Sequence, residues 1–277
     1  MARDEDRSIH ERGGQAVKDV VPGFSEDSPQ KEMSSPIYWL QTHSGKKIDL
    51  INPTPEMVDI EDIAHALSMI CRFNGHCREF YSVAEHSVLV EVMGSQMMRQ
   101  EAARNSRKLS VPPKPTSEFV QKSLELLLHD AAEAYIGDLT TPLKRGLDSL
   151  GVVFPPPEMK VSKLAELEAR WLRAIGQAFG LGDRLAEPSD IVQQADEHVL
   201  AIEVTTLFHP VQSCWWEKRG RPRSGELMLP CWTPAEARRQ FIGHFRMLYE
   251  TLYSKTGWSE VGMPNADGDH GSGEESP

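Results

Sequence analysis

A histidine followed at once by an aspartate, His129-Asp130, closes the apolar run Leu124-Glu125-Leu126-Leu127-Leu128. A carboxylate beside a leucine stripe is costly to bury unless a positive group pairs with it. A divalent cation is one such partner, because neutral imidazole and carboxylate are both ordinary ligands for one. Two further candidates stand far away in the chain: His86 in Ser82-Val83-Ala84-Glu85-His86-Ser87, and Asp196 in Gln193-Gln194-Ala195-Asp196-Glu197. The order is His, then His-Asp, then Asp, each on an expected helix, which makes His86, His129, Asp130 and Asp196 candidates for metal ligation. Glu133 lies four residues after His129. On an unbroken helix the two share a face, which puts a carboxylate within reach of a water on the ion. Asp138 comes next, directly after Gly137, which can bend the backbone.

The elements that must position these groups are mostly helical. Asp59 can cap a helix whose apolar face is Ile60, Ile63, Ala64, Leu67 and Ile70. Ser82-x-x-Glu85 is a capping box that opens the helix bearing His86, with Val83, Val90 and Met93 as its core stripe. A helix from about Ser117 is expected to run through His129-Asp130 to Tyr135, where Gly137 ends it and Pro142 forbids simple continuation. Leu164, Leu167, Trp171, Leu172, Ile175 and Phe179 form an amphipathic helix that stops at Gly180 and belongs to the core. Pro188-Ser189 opens the helix that holds Asp196 and continues through Leu207. Thr233-Pro234-Ala235-Glu236 combines a cap, a first-turn proline and an acid, and starts the last helix, filled by Phe241, Phe245, Leu248 and Leu252.

Other stretches read as connections. Ile37-Tyr38-Trp39-Leu40 and Ile48-Asp49-Leu50-Ile51 flank a turn signal and predict a small hairpin. Residues 104–116 are basic and proline-rich, and residues 209–229 are rich in Gly, Pro and charge; both predict loops. The expected organisation is a polar, disordered extension at 1–36, one all-α domain with an N-terminal hairpin at 37–260, and an acidic tail at 261–277.

The net charge of −11 falls partly on the ends, leaving the body only mildly acidic. No basic face is visible for a nucleic-acid polymer, although a small anionic ligand could still bind through a metal and a few local bases. Cys71, Cys77, Cys214 and Cys231 include no CxxC pair, and with His209 they match no common zinc module. They read as free thiols of a cytoplasmic protein. No apolar leader and no run of 18 uncharged apolar residues occurs. No membrane partner is expected.

The stretch from His129 through Glu133 and Gly137-Asp138 to Thr141-Pro142 resembles the HD-domain metal-dependent phosphohydrolases. The nearest branch contains bacterial 5′-deoxynucleotidases and phage deoxynucleotide phosphohydrolases. The likeness runs from about Tyr38 to Leu252 and includes Gln41-Thr42-x-x-Gly45, Asp49-Leu50-x-Asn52-Pro53 and Asp62-Ile63-Ala64-His65-Ala66-Leu67. It also takes in Arg72-Phe73-x-Gly75-His76, Phe80 to Ser87, Ala195-Asp196-Glu197 and Trp232-Thr233-Pro234. The resemblance implies an HD-type helical bundle with one divalent ion (Mn, Co, Fe, Zn or Mg) on His86, His129, Asp130 and Asp196. It further implies hydrolysis of phosphate esters of nucleotides, with a (deoxy)nucleoside 5′-monophosphate as the first expectation and triphosphate hydrolysis as the alternative. Glu133 would orient or deprotonate the attacking water, and Asp138 would share the proton handling or protonate the leaving oxygen. Arg72 would contact phosphate or sugar, Phe73 would pack on sugar or base, and Lys144 is a further phosphate candidate.

Plainer readings stand beside these. Glu133 could be a solvated helix residue, Asp138 a cap for the following turn, Arg72 a surface salt-bridge partner and Lys144 a solvated loop charge. His65 reads as a structural histidine, His76 as a loop residue, and Trp215-Trp216 as cover for the core or a dimer surface. A di-iron oxygenase on the same scaffold needs extra histidines between residues 131 and 195, and that span has none. A non-catalytic nucleotide sensor is the remaining alternative. Relatives of this kind are often dimers, so a homodimer is a further expectation.

Overall fold

The expected hairpin forms from β1 (Trp39–Gln41) and β2 (Lys47–Asp49), paired antiparallel with Leu40 opposite Ile48. This computed structural model describes residues 38–105, 116–149, 163–209 and 227–253. The expected extension at 1–36, the acidic tail at 261–277 and most of the two expected loops, including Cys214 and Trp215-Trp216, lie outside the described residues. The hairpin tip is pinned to the helix behind it. The Ser44 backbone N–H and hydroxyl both donate to Asp62, at 2.6 and 2.7 Å, and Ile48 points into the core.

The helices are α1 (Ile60–Met69), α2 (Val83–Asn105), α3 (Ser117–Leu128), α4 (Glu133–Ile136), α5 (Thr141–Ser149), α6 (Lys163–Ala178), α7 (Asp190–Leu207) and α8 (Pro234–Tyr253). The protein is all-α apart from the hairpin. Asp59 caps α1 by accepting from the Glu61 N–H, Thr116 caps α3 through Phe119, and Thr233 caps α8 through Glu236. Gly137 and Gly180 sit at φ 81° and 71° behind α4 and α6, as expected of glycines that end a helix.

α2 is the hub, packing against α1, α3, α7 and α8. Its first turns are buried on every side, although Glu85, His86, Ser87 and Glu91 lie among the apolar residues. Val83, Ala84 and Val88 join a core shared with α1, α3, α6 and α8. Leu89, Val90 and Met93 join a second apolar cluster with α7 and Leu126 of α3. The two backbones of α2 and α3 come close at Gly94, where a Cβ would stand 2.5 Å from Leu126 side-chain carbons.

One expectation is corrected. The helix from Ser117 does not run unbroken to Tyr135. It stops at Leu128, and residues 129–132 tighten into i→i+3 turns, with the Ala131 N–H donating to Leu128 and the Glu133 N–H to Asp130. The apolar periodicity crosses this break unchanged, so local pattern could not reveal it. Packing decides: the bend lets α4 lie on α1 and stacks Tyr135 on Trp171 at 3.9 Å. Beyond Pro142 the chain forms α5, because a proline in the first turn starts a helix as readily as it ends one.

Candidate metal centre

Three elements carry the expected ligands to one place. His86 sits in the first turn of α2, where the Glu85 N–H donates to Ser82 Oγ at 3.1 Å. Only this half of the capping box closes. The Glu85 carboxylate turns away and accepts the backbone N–H groups of Cys231 and Trp232, at 2.8 and 2.7 Å, tying the segment before α8 to α2. His129 and Asp130 occupy the tightened turn after α3, and Asp196 faces inward from α7.

The heads meet closely. His86 Nε2 lies 3.3 Å from His129 Nε2, 3.5 Å from Asp130 Oδ2 and 3.2 Å from Asp196 Oδ1. His129 Nε2 lies 3.1 Å from Asp130 Oδ2. His86, His129 and Asp130 form a group that could hold a metal ion, and among the described residues no other such group of histidine, cysteine and acidic side chains is found. Asp196 stands beside it.

The far nitrogens decide what this group can do. His129 Nδ1 is 2.9 Å from the Leu126 carbonyl oxygen, which can only accept, so Nδ1 carries the proton and Nε2 presents a lone pair inward. His86 Nδ1 is 2.6 Å from Glu203 Oε1, an arrangement that likewise fixes its ring. Two imidazole nitrogens and two carboxylates thus converge, with Arg72 Nη1, 3.5 Å from Asp130, as the neighbouring cationic donor, which is a ligand set suited to a cation. Burial and Arg72 oppose charging His86, but Glu203 and Asp196 outweigh them and push it up to about 9. Burial likewise opposes the charge on Asp130, yet His129, His86 and Arg72 hold it well below the usual carboxylate range.

Glu133 is buried, and one of its oxygens has no partner in the protein. Burial, then Asp130 and Asp138, push its pKa well above the ordinary value. It is therefore not a solvated helix residue. The shared helical face on which its placement was expected is broken by the turn, and it comes beside Asp130 and Asp138 through that turn instead. Asp138 is raised too, by burial first and with help from Asp130. Lys144 lowers the pKa of both acids, although its ammonium is 3.6 Å from Glu168.

Arg72 is not a surface residue. It is buried, with Nη2 at 3.2 Å from Glu203 and Nη1 at 3.5 Å from Asp130. Phe73 lies under its guanidinium at 5.3 Å and meets Phe208 edge-on. His65 stacks on His43 at 3.6 Å, and His76 is exposed. Cys71, Cys77 and Cys231 are free thiols.

One member of the site was not anticipated. Glu203 is wholly buried and joins both His86 and Arg72. A signal existed: it stands seven residues after Asp196, two turns along the same helix face, as the one acid in an apolar stretch. A buried carboxylate of that kind needs a positive partner.

No family model matches the chain. The uncharacterized protein YfdR of Escherichia coli strain K12 is 32% identical over 212 residues, spanning 76% of this chain and 96% of YfdR. The chain belongs to the YfdR family. An uncharacterized protein of Rhodobacter capsulatus is 35% identical over 152 residues, which cover 54% of this chain and 62% of that protein. The span shared with YfdR is long enough to encompass most of the helical domain. Among the described residues of this YfdR-family chain, no helix is long and apolar enough to cross a membrane.

Proposed function

We propose that this protein is an HD-type, metal-dependent phosphohydrolase acting on nucleotides in the cytoplasm, with nucleoside 5′-monophosphates as the first substrate class. The observation that carries the reading is the convergence of two imidazoles and two carboxylates. His86 and His129 turn their Nε2 atoms toward Asp130 and Asp196, and each imidazole is fixed from behind by Glu203 or the Leu126 carbonyl. A divalent ion on those four side chains would supply Lewis acidity to a phosphoryl group and acidify a water beside it.

The remaining work falls to this chain's own groups. Glu133, made more basic by burial and by neighbouring acids, can take a proton from an attacking water. Asp138, also raised, can return one to a departing oxygen. Arg72 offers a planar fork beside Asp130, and its Nε is still without a partner, a geometry suited to a phosphate oxygen. Lys144 adds positive charge near both acids.

The test is phosphate release from a panel of nucleoside mono-, di- and triphosphates with Mn²⁺, Co²⁺ and Mg²⁺, with the polyphosphate product resolved by chromatography. Monophosphate substrates should release phosphate, and Asp130→Ala should not. Tripolyphosphate as the product would move the assignment to triphosphate hydrolysis. If neither product formed with any metal, the catalytic reading would fall.

A further inference from the structure

We propose that Cys71 and Cys77 are a peroxide-oxidisable dithiol whose disulfide closes a ring around the loop that presents Arg72. Their sulfurs lie 3.6 Å apart, and both side chains are half-buried. The approach is built by the backbone. Phe73, Asn74 and Gly75 take φ values of 58°, 53° and 75° in succession, which turns the chain back on itself. Such angles are uncommon for residues with a Cβ and persist only where the surroundings impose them. Both ends of the loop are held. Cys71 bridges to Ser82 and the Arg72 N–H donates to Tyr81, while the Arg78 N–H donates to Leu207 at the end of α7.

The chemistry balances with a peroxide as oxidant. The Cys71 sulfur attacks the O–O bond and becomes a sulfenic acid, releasing one water. The Cys77 sulfur then attacks that sulfur, the S–S bond forms, and the hydroxyl leaves with the Cys77 proton as a second water. Overall the two thiols lose two electrons and the peroxide is reduced to two waters. Burial and then the neighbouring Cys71 push the Cys77 thiol up to about 11, which disfavours a thiolate there. Half-burial admits a peroxide more readily than a bulky disulfide reagent.

Replacing the contact by a disulfide bond of about 2 Å fixes the separation of the two ends of the loop. Arg72 stands inside that ring, and its guanidinium reaches Glu203 and Asp130. The redox state of the pair therefore sets how freely the arginine's loop can move. This inference does not depend on the chemistry proposed for the metal centre.

Peptide mapping tests it directly, because trypsin cuts after Arg72 and Arg78 and leaves the two cysteines on separate peptides. After peroxide, the native protein should yield the two peptides joined with the loss of two hydrogens, and dithiothreitol should release them. Cys231 should remain alkylatable. Hydrogen exchange at residues 73–77 should slow on oxidation and recover on reduction. In Cys77→Ser protein, oxygen should instead accumulate on Cys71, with no change in exchange. Full alkylation of both thiols after peroxide would overturn the proposal, as would bridging of either one to Cys214 or Cys231.

Discussion

Among the described residues two histidine–glutamate pairs join different helices, one wholly buried and one partly exposed at its histidine, and only the first belongs to a candidate site. In the first, His86 Nδ1 meets Glu203 at 2.6 Å, with both side chains wholly inaccessible. In the second, His244 Nδ1 of α8 meets Glu91 of α2 at 2.9 Å. The difference lies in what surrounds each pair. His86 turns its other nitrogen on a second imidazole and two carboxylates. Glu91 instead accepts from Ser95, whose hydroxyl also meets Ser123, so that pair ends in neutral hydroxyls that can donate as well as accept. A buried histidine–carboxylate pair is thus no evidence of chemistry by itself. What sets the first pair apart is the second imidazole and the two carboxylates that converge on it.

Four substitutions and one titration sharpen or break this contrast. Asp130→Ala has the largest expected effect. It removes a ligand and leaves Arg72 with one partner fewer, so Mn²⁺ binding by calorimetry and any hydrolysis should both be lost. Glu203→Gln keeps a hydrogen-bonding group near His86 but not the charge. Partners of this kind typically change metal affinity by about 10–100-fold, so a fall of that order is expected. Glu91→Gln should leave metal affinity unchanged and lower stability by about 1–3 kcal/mol, read from urea unfolding. Equal effects of the two glutamate substitutions on metal binding would erase the distinction between the pairs.

The titration concerns Glu85, which burial raises to about 7 from an ordinary 4.5 despite two backbone N–H donors. Between those values the folded protein holds a proton that the unfolded chain has released. Its contribution is therefore complete below pH 4.5 and is lost as pH rises through 7. Unfolding free energy should show this downward slope in the wild type and a flatter one in Glu85→Gln. The smallest expected effect is that of Gly94→Ala, where gained helix propensity offsets part of an overpacking cost of about 1–3 kcal/mol.

Much of the architecture was legible because it is local. Asp59, Thr233 and the glycines at 137 and 180 announce helix ends by chemistry that acts within a few residues. The convergence of residues 86, 129, 130 and 196 was legible from residue type, since acids and imidazoles beside apolar runs need a partner. Less legible was anything decided by distant packing. The break after Leu128 serves the contact of α4 with α1, and α5 begins at a proline that reads equally well as a stop. Arg72 looked like a possible surface charge because its partner Glu203 lies 131 residues away. Glu85 looked like half of a capping box because its true partners, the N–H groups of Cys231 and Trp232, carry no sequence signature at all.

Leu126 does two jobs with opposite ends of the same residue. Its side chain fills the space left open by Gly94, and its carbonyl oxygen holds the ring of His129. The aim of the His129 imidazole is thereby coupled to how tightly two helices fit together. An engineer wishing to retune ion preference without touching any liganding atom has a remote dial at position 94. A methyl group added there pushes on the leucine, and the leucine's backbone carries the displacement to the ring.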